Sequence, residues 1–206
     1  MDAGKPLKAY RSGSGPVAGL RVRTSQSHPL WIDEVKAGDA GGIVGITFCP
    51  GKHGGSLYGP RWERDLESDL DAVAAWHASA VVTLIEDHEF ALLGVQDLGA
   101  RVRSRSIDWH HLPIADVRPP DARFEAGWLA SGPTLCRALR EGGRVLVHCR
   151  GGLGRAGTVA ARLLVELGAA PHEAVDSVRV ARPGAIQTDG QLQYVLGLVC
   201  RRDAVR

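Results

Sequence analysis

Between residues 143 and 167 the chain reads GRVLVHCRGGLGRAGTVAARLLVEL. An apolar, β-branched run stops at His148-Cys149, three glycines follow within five residues, and an apolar helical pattern then begins. A strand without a polar face must be covered on both sides, as in a parallel sheet flanked by helices. The rest of the chain fits that frame. LWIDEV (30–35), GIVGITFCP (42–50), AVVTLI (80–85) and SIDWHHLPI (106–114) read as further strands, the last running into a loop. Helical spacing or capping signals mark 63–78, one or two short helices in 87–103, a long helix from Asp121 to about Arg140, and helices at 155–168, 171–181 and 188–203. Pro171 opens the second of these last three at a first-turn position. GKHGGSLYGPRW (51–62) carries many turn residues and reads as a loop. Strands alternating with helices predict an α/β fold, a three-layer sandwich whose mostly parallel central sheet has helices on both faces. Residues 1–25, rich in Gly, Ser, Lys and Arg, read as a flexible lead-in, and 26–206 as a single domain.

Composition narrows the partners. The 206 residues suffice for one substantial core, and a formal net charge of +2 gives no sign of a nucleic-acid or membrane-surface partner. No run of about 18 apolar residues is present and the N-terminus lacks an apolar h-region, so neither a membrane span nor a secretory signal is expected. Cys49, Cys136, Cys149 and Cys200 are scattered, with no CxxC pair. A zinc or disulfide framework is therefore not expected, no metal or cofactor is implied, and a reducing, cytoplasmic compartment fits best.

In open α/β sheets ligands sit beyond the carboxyl ends of the strands, which directs attention to Cys149. Five residues separate it from Arg155. Gly151, Gly152 and Gly154 let successive N–H groups turn toward one centre, and the following helix adds its positive end. Arg150, Gly151, Gly152, Leu153, Gly154 and Arg155 thus form a candidate oxyanion cradle, with Arg155 able to grip two oxygens bidentately. The same field favours a thiolate over a thiol and makes Cys149 a candidate nucleophile. No Gly-Lys-Ser/Thr follows, which excludes a Walker loop. A strand-terminal cysteine can also be a small buried hydrophobe, and a glycine turn mere tight packing.

HCRGGLGR (148–155) resembles the motif of the cysteine-dependent protein phosphatases, in its wording the dual-specificity branch. Together with TFCPGK (47–52), HHLPIADVRPPD (110–121) and GAIQTDGQ (184–191), it is similar to the family of the cyclin-dependent-kinase-associated phosphatase and its bacterial relatives, over roughly residues 40–200. The resemblance implies a phosphomonoester hydrolase acting on phosphotyrosine or phosphoserine/threonine of proteins through a phosphocysteine at Cys149. It gives His148 a supporting role toward the loop and the thiolate. It maps the general acid onto Asp116, with Asp121 (which also reads as a helix N-cap), His110 and His111 as rivals. It maps water positioning onto Gln187 with Gln191 as partner, although Thr188 or Asp189 would also serve as a plain helix cap there. Arg179 and Arg182 either brace the acid loop or pair with surface carboxylates. Pro119 and Pro120 stiffen its far side.

One departure stands out: Ala156 occupies the position where the family places a Ser or Thr hydroxyl against the sulfur. Thr158 lies about 200° further round a helix and faces away. Ala156 keeps open a phosphate-binding module with little turnover. A sulfurtransferase also uses a strand-terminal cysteine, but Arg155 and Asp116 argue for phosphate. A phosphoinositide substrate is disfavoured by a loop without lysine. His53, Tyr58 and Trp62 are candidates for the substrate rim, and Cys49 for a redox partner. Substrate preference and oligomeric state stay open.

Overall fold

The computed structural model describes residues 22–39, 41–56 and 59–199. Its elements, in chain order, begin with β1 (Asp33–Ala37), β2 (Gly42–Phe48), β3 (His53–Ser56), β4 (Gly59–Glu63), α1 (Leu66–Ala75) and β5 (Ala80–Thr83). Next come α2 (Asp87–Leu93), α3 (Leu98–Arg103), β6 (Asp108–His111) and α4 (Ala122–Arg140). The chain continues through β7 (Arg144–Cys149), α5 (Gly154–Glu166), α6 (Pro171–Ala181) and α7 (Asp189–Leu196). The main sheet runs β1-β2-β7-β5-β6, parallel except for the edge strand β1, which pairs antiparallel with β2.

Period-2 alternation along the central strands feeds two cores. Val145 and Val147 of β7 face α4–α7 with Phe124, Leu135, Val159 and Leu163, whereas Leu146 and Val81 face α1–α3 with Leu70, Val73, Leu98 and Val102. This is the expected three-layer sandwich. Asp121 caps α4, its carboxylate accepting the Phe124 N–H at 3.0 Å.

Two boundaries differ from the sequence-based expectation. Residues 51–62 are not a plain loop: β3 and β4 form an antiparallel hairpin with an irregularity between Gly54 and Ser56. Contacts remote in sequence hold it. Asp69 of α1 accepts the Gly51 N–H at 2.8 Å and forms a buried ion pair with Arg64 at 2.7 Å, while Trp62 packs on Phe48. The last helix stops at Leu196, with Gly197 at its end, short of the expected residue 203; residues 200–206 lie outside the described residues. At the other end Arg23 bridges Trp62 and the Ser25 hydroxyl accepts the Asp65 N–H, so residues 22–25 lie against the hairpin. Residues 1–21 of the expected lead-in, with Tyr58 and Cys200, also lie outside the described residues.

Candidate active site

β7 delivers Cys149 to the carboxyl edge of the sheet, where the chain turns through residues 150–153 into α5. Gly152 makes the turn possible. Its φ is +69°, and a Cβ there would meet the Thr47 carbonyl oxygen at 2.4 Å, so no other residue fits without displacing β2. Three loop carbonyls are held outward. Lys52 Nζ donates to Arg150 O at 3.2 Å, and Arg182 donates to Gly152 O at 2.9 Å and Gly151 O at 3.3 Å. In a planar trans peptide the N–H points opposite to the C=O. Anchoring these carbonyls therefore aims the N–H groups of Gly151, Gly152 and Leu153 to the inside. The Gly152 N–H indeed donates to Cys149 Sγ at 3.2 Å. The N–H groups of Arg150, Gly151 and Leu153 donate to no protein atom among the described residues.

Arg155, the second residue of α5, is 2% exposed. Glu89 of α2 grips its Nη1/Nη2 end through two hydrogen bonds of 2.5 and 3.0 Å, and the Ile114 carbonyl accepts from Nη1 at 3.1 Å. Burial opposes both charges, yet each holds the other ionised: Glu89 lies below, and Arg155 above, its ordinary range. The remaining Nε/Nη2 edge has a buried Nε–H without a partner, and Asp116 Oδ1 stands 3.0 Å from Nη2. Asp116 is itself 55% exposed on the loop after β6. A planar fork whose Nε–H has no partner, and whose Nη2 is shared with an exposed carboxylate, suits a tetrahedral oxyanion that takes over this edge.

The opposite rim is built by the segment between α6 and α7. Gln187 Oε1 accepts the Gly154 N–H at 3.0 Å, so that N–H, expected in the cradle, is engaged from the side. Gln191 is buried; its Oε1 accepts the Gln187 N–H at 3.0 Å and its Nε2 donates to Arg118 O at 3.2 Å, tying this rim to the acid loop. Arg179 donates to Ala185 O and Ile186 O, 3.3 and 3.1 Å away. Arg182 completes its set with Asp33 at 2.6 Å. The two arginines thus hold the Gln187 segment and the cysteine loop, which corrects the expectation that they brace the acid loop or pair only with surface carboxylates.

The lower wall is β5 and β6. His148 is fully buried, its Nε2 lies 2.8 Å from Thr83 Oγ1, and burial drives its pKa down to about 3, so the ring is neutral. His111 stacks on Trp109 and reaches the Ile85 carbonyl through Nε2 at 2.9 Å; His110 points to the other face of the strand. Ala156 is buried, and the Thr158 hydroxyl donates to Gly154 O at 2.8 Å within the helix, away from the sulfur. Cys49 is buried as a free thiol beside the loop, its N–H 3.5 Å from Arg150 O, and burial keeps it protonated. Of the candidate rim residues, His53 Nε2 is 2.8 Å from Arg64 O and Trp62 carries the Lys52 ammonium 4.6 Å from its ring centroid.

Comparison with known proteins identifies the family. The model of the Swiss Army Knife protein DSP-PTPase phosphatase domain matches residues 62–195. The chain belongs to this DSP-PTPase family. Among its relatives, human cyclin-dependent kinase inhibitor 3 is 33% identical over 135 residues, which cover 64% of this chain and 62% of that protein. Human protein tyrosine phosphatase type IVA 3 is 37% identical over 90 residues, 43% of this chain and 49% of the relative. The match thus spans less than two thirds of these relatives. The structure of kinase associated phosphatase, with its catalytic-site cysteine replaced by serine, superposes with a TM-score of 0.71 at 27% identity, over 86% of this chain and 98% of that one. Tk-PTP in its active form is 30% identical with a TM-score of 0.54, over 78% of this chain and 95% of that one.

Two residues of this DSP-PTPase site escape a sequence reading. Glu89 looks like an ordinary first-turn acid of α2, and Lys52 like one more residue of a polar turn. Lys52 is in fact buried, stacked over Phe48 and Trp62 at 4.4 and 4.6 Å, with burial lowering its pKa to about 8 against the pull of Cys49 and Cys149. A usable signal was its place directly after TFCPG, the strand end adjoining that of Cys149.

Proposed function

We propose that this DSP-PTPase domain is a protein phosphatase that hydrolyses phosphorylated side chains through a phosphocysteine at Cys149. The observation that carries the reading is the unpartnered Nε–H of a buried, fixed Arg155, beside a sulfur that already receives a loop N–H. A phosphoryl group seated there has two oxygens on Arg155 and others on the N–H groups of residues 150–153. The Cys149 thiolate attacks phosphorus as the bond to the side-chain oxygen breaks, and Asp116 delivers the proton to that oxygen. Water then attacks the phosphocysteine, gives its proton to the Asp116 carboxylate, and the S–P bond breaks to return the thiolate and release phosphate. Gln187, exposed at the rim, is the group for holding that water, and Gln191 the brace that holds Gln187. His148 supports the loop from below.

A phosphoprotein substrate is supported by the relatives' names, which include a kinase associated phosphatase and a protein tyrosine phosphatase. Residues 26–206 are the catalytic unit in this reading. No helix among the described residues is long and apolar enough to cross a membrane, and a nucleophilic thiol suits a reducing, cytoplasmic compartment. The test is hydrolysis of p-nitrophenyl phosphate and of phosphotyrosine and phosphothreonine peptides by the parent and by Cys149→Ser, with intact-mass detection of a phosphate adduct after acid quench. Turnover and an adduct that both vanish in Cys149→Ser support the mechanism. Near-parental turnover by that variant refutes it.

A further inference from the structure

β1 runs antiparallel to the other strands of the main sheet, so its N-terminal end lies at the edge where Cys149 emerges. Asp33 pairs with Ile46 of β2, and Phe48 of β2 pairs with Cys149. Continued two residues back along the chain, this register sets Trp31 level with Phe48 and so with Cys149. The Thr47 hydroxyl donates to the Trp31 carbonyl at 2.8 Å, which keeps residue 31 alongside β2. Neighbouring strands are about 4.8 Å apart, so two spacings put the Trp31 backbone about 10 Å from that of Cys149.

Trp31 is 56% exposed, the one aromatic among the exposed large apolar side chains of the described residues. It is nevertheless held in place. Its Nε1–H donates to Asp33 Oδ1 at 2.6 Å, Asp33 Oδ2 accepts from Arg182 Nη1 at 2.6 Å, and Arg182 Nε donates to the Gly152 carbonyl at 2.9 Å. Three hydrogen bonds thus run from the ring edge to the cysteine loop. A flat apolar surface whose polar end is already satisfied loses little entropy when another side chain is laid on it. The charges around it favour an apolar occupant over a basic one: Asp33 is neutralised by Arg182, and Arg150 is exposed on the loop itself. No step at phosphorus involves this ring.

We propose that Trp31 is a specificity-determining residue, a platform for an apolar side chain that flanks the phosphorylated residue of the substrate. An extended chain advances about 3.3–3.6 Å per residue, so the occupant lies two or three positions from the residue whose phosphate sits over Cys149. A leucine-sized side chain half-buried on one indole face favours binding by about four- to tenfold. The platform rests on the phosphoprotein reading, which supplies the flanking residues.

The experiment is kcat/KM for phosphotyrosine and phosphothreonine peptides that carry Ser, Leu or Arg two or three positions to either side of the phosphorylated residue, with p-nitrophenyl phosphate as a substrate without flanks. On one side the parent prefers Leu to Ser by about four- to tenfold. Trp31→Ala loses that preference, and Trp31→Phe, which keeps a ring but not the N–H, retains most of it. Leu129→Ala, which removes a side chain 80% exposed on α4, leaves it as in the parent. A parent that cleaves all the peptides alike, or a preference intact in Trp31→Ala, overturns the platform and leaves the phosphoprotein reading standing. A preference for Arg that Trp31→Ala removes overturns the apolar occupant and makes the ring a cation site. Equal loss on every substrate in both Trp31→Ala and Trp31→Phe also overturns the platform, and makes the indole N–H a brace for Asp33 and Arg182. Parent activity on p-nitrophenyl phosphate with none on any phosphopeptide overturns the phosphoprotein reading itself, and the platform with it.

Discussion

Glu89→Gln removes one charge from a pair in which Glu89 is 3% and Arg155 2% exposed, and leaves the side-chain shape almost unchanged. Deleting one partner of a buried ion pair costs about 3–5 kcal/mol, because the other charge stays desolvated and uncompensated. The glutamine oxygen can still accept one N–H, which places the expectation near about 3 kcal/mol. For a domain of this size that is a fall in Tm of roughly 6–12 °C. Asp87→Asn supplies the contrast: Asp87 starts the same helix, pairs with Arg123 and is 71% exposed, so its loss is worth at most about 1 kcal/mol. The sign with pH follows. Glu89 is held below the usual carboxylate range, so its contribution is complete above the unfolded value of about 4.3 and is lost as pH falls through the folded value. Glu89→Gln lacks that part of the acid loss. Urea titrations and thermal scans at neutral and acid pH measure both effects. An added oxyanion supplies the missing countercharge, so saturating vanadate raises the Tm of Glu89→Gln by more than it raises that of the parent. A Glu89→Gln variant within about 1 kcal/mol of the parent, or one stabilised less by vanadate, would refute the view of Glu89 as the counter-ion of the phosphate-gripping arginine.

Asp116→Asn slows cleavage of alkyl phosphates by roughly 10²–10⁴-fold, with little effect on an aryl ester that has an acidic leaving group. It also tightens inorganic phosphate by up to about fivefold, since the exposed carboxylate no longer shares Arg155; equal loss on both esters refutes the acid assignment. Ala156→Ser restores a hydroxyl beside the sulfur, where a hydrogen bond to a charged group is worth about 1.5–3 kcal/mol, and so speeds phosphocysteine breakdown by roughly ten- to hundredfold. The parent shows a burst that this variant loses, and an absent burst with an unimproved variant counts against it. Lys52, lowered to about 8, gives up its charge above that pH and keeps only a weaker, neutral hydrogen bond to the Arg150 carbonyl, so kcat/KM falls there in the parent, whereas Lys52→Arg flattens this alkaline limb. An identical limb in both proteins removes Lys52 from the loop's electrostatics. His148 stays neutral down to about pH 3 when folded but binds a proton near 6.5 when unfolded, so its share of stability declines by about 1.4 kcal/mol per pH unit below 6.5. Denaturant midpoints that stay level from pH 6.5 to 4.5 contradict that burial.

Local chemistry made much of this protein legible from its sequence. The apolar run into Cys149, the spacing to Arg155 and the alternation of strands and helices are short-range patterns, and they specify a three-layer α/β sandwich with a cradle at the end of β7. Asp121 is a cap because its carboxylate bonds three residues ahead, a relation that sequence states directly. Other features were set only by packing across the fold. The β3–β4 hairpin depends on Asp69 and Phe48, and glycine-rich strands carry too little pattern of their own to show it. Glu89 meets Arg155 across 66 positions, Thr83 meets His148 across 65, and Lys52 meets Arg150 across 98. Each of these pairs is made by two elements docking at the carboxyl edge of one sheet. The charge or hydroxyl involved is unremarkable until burial removes water and leaves a single partner. The sequence therefore names the atoms proposed to meet phosphate, whereas tertiary structure decides which groups hold those atoms in their charged and oriented state.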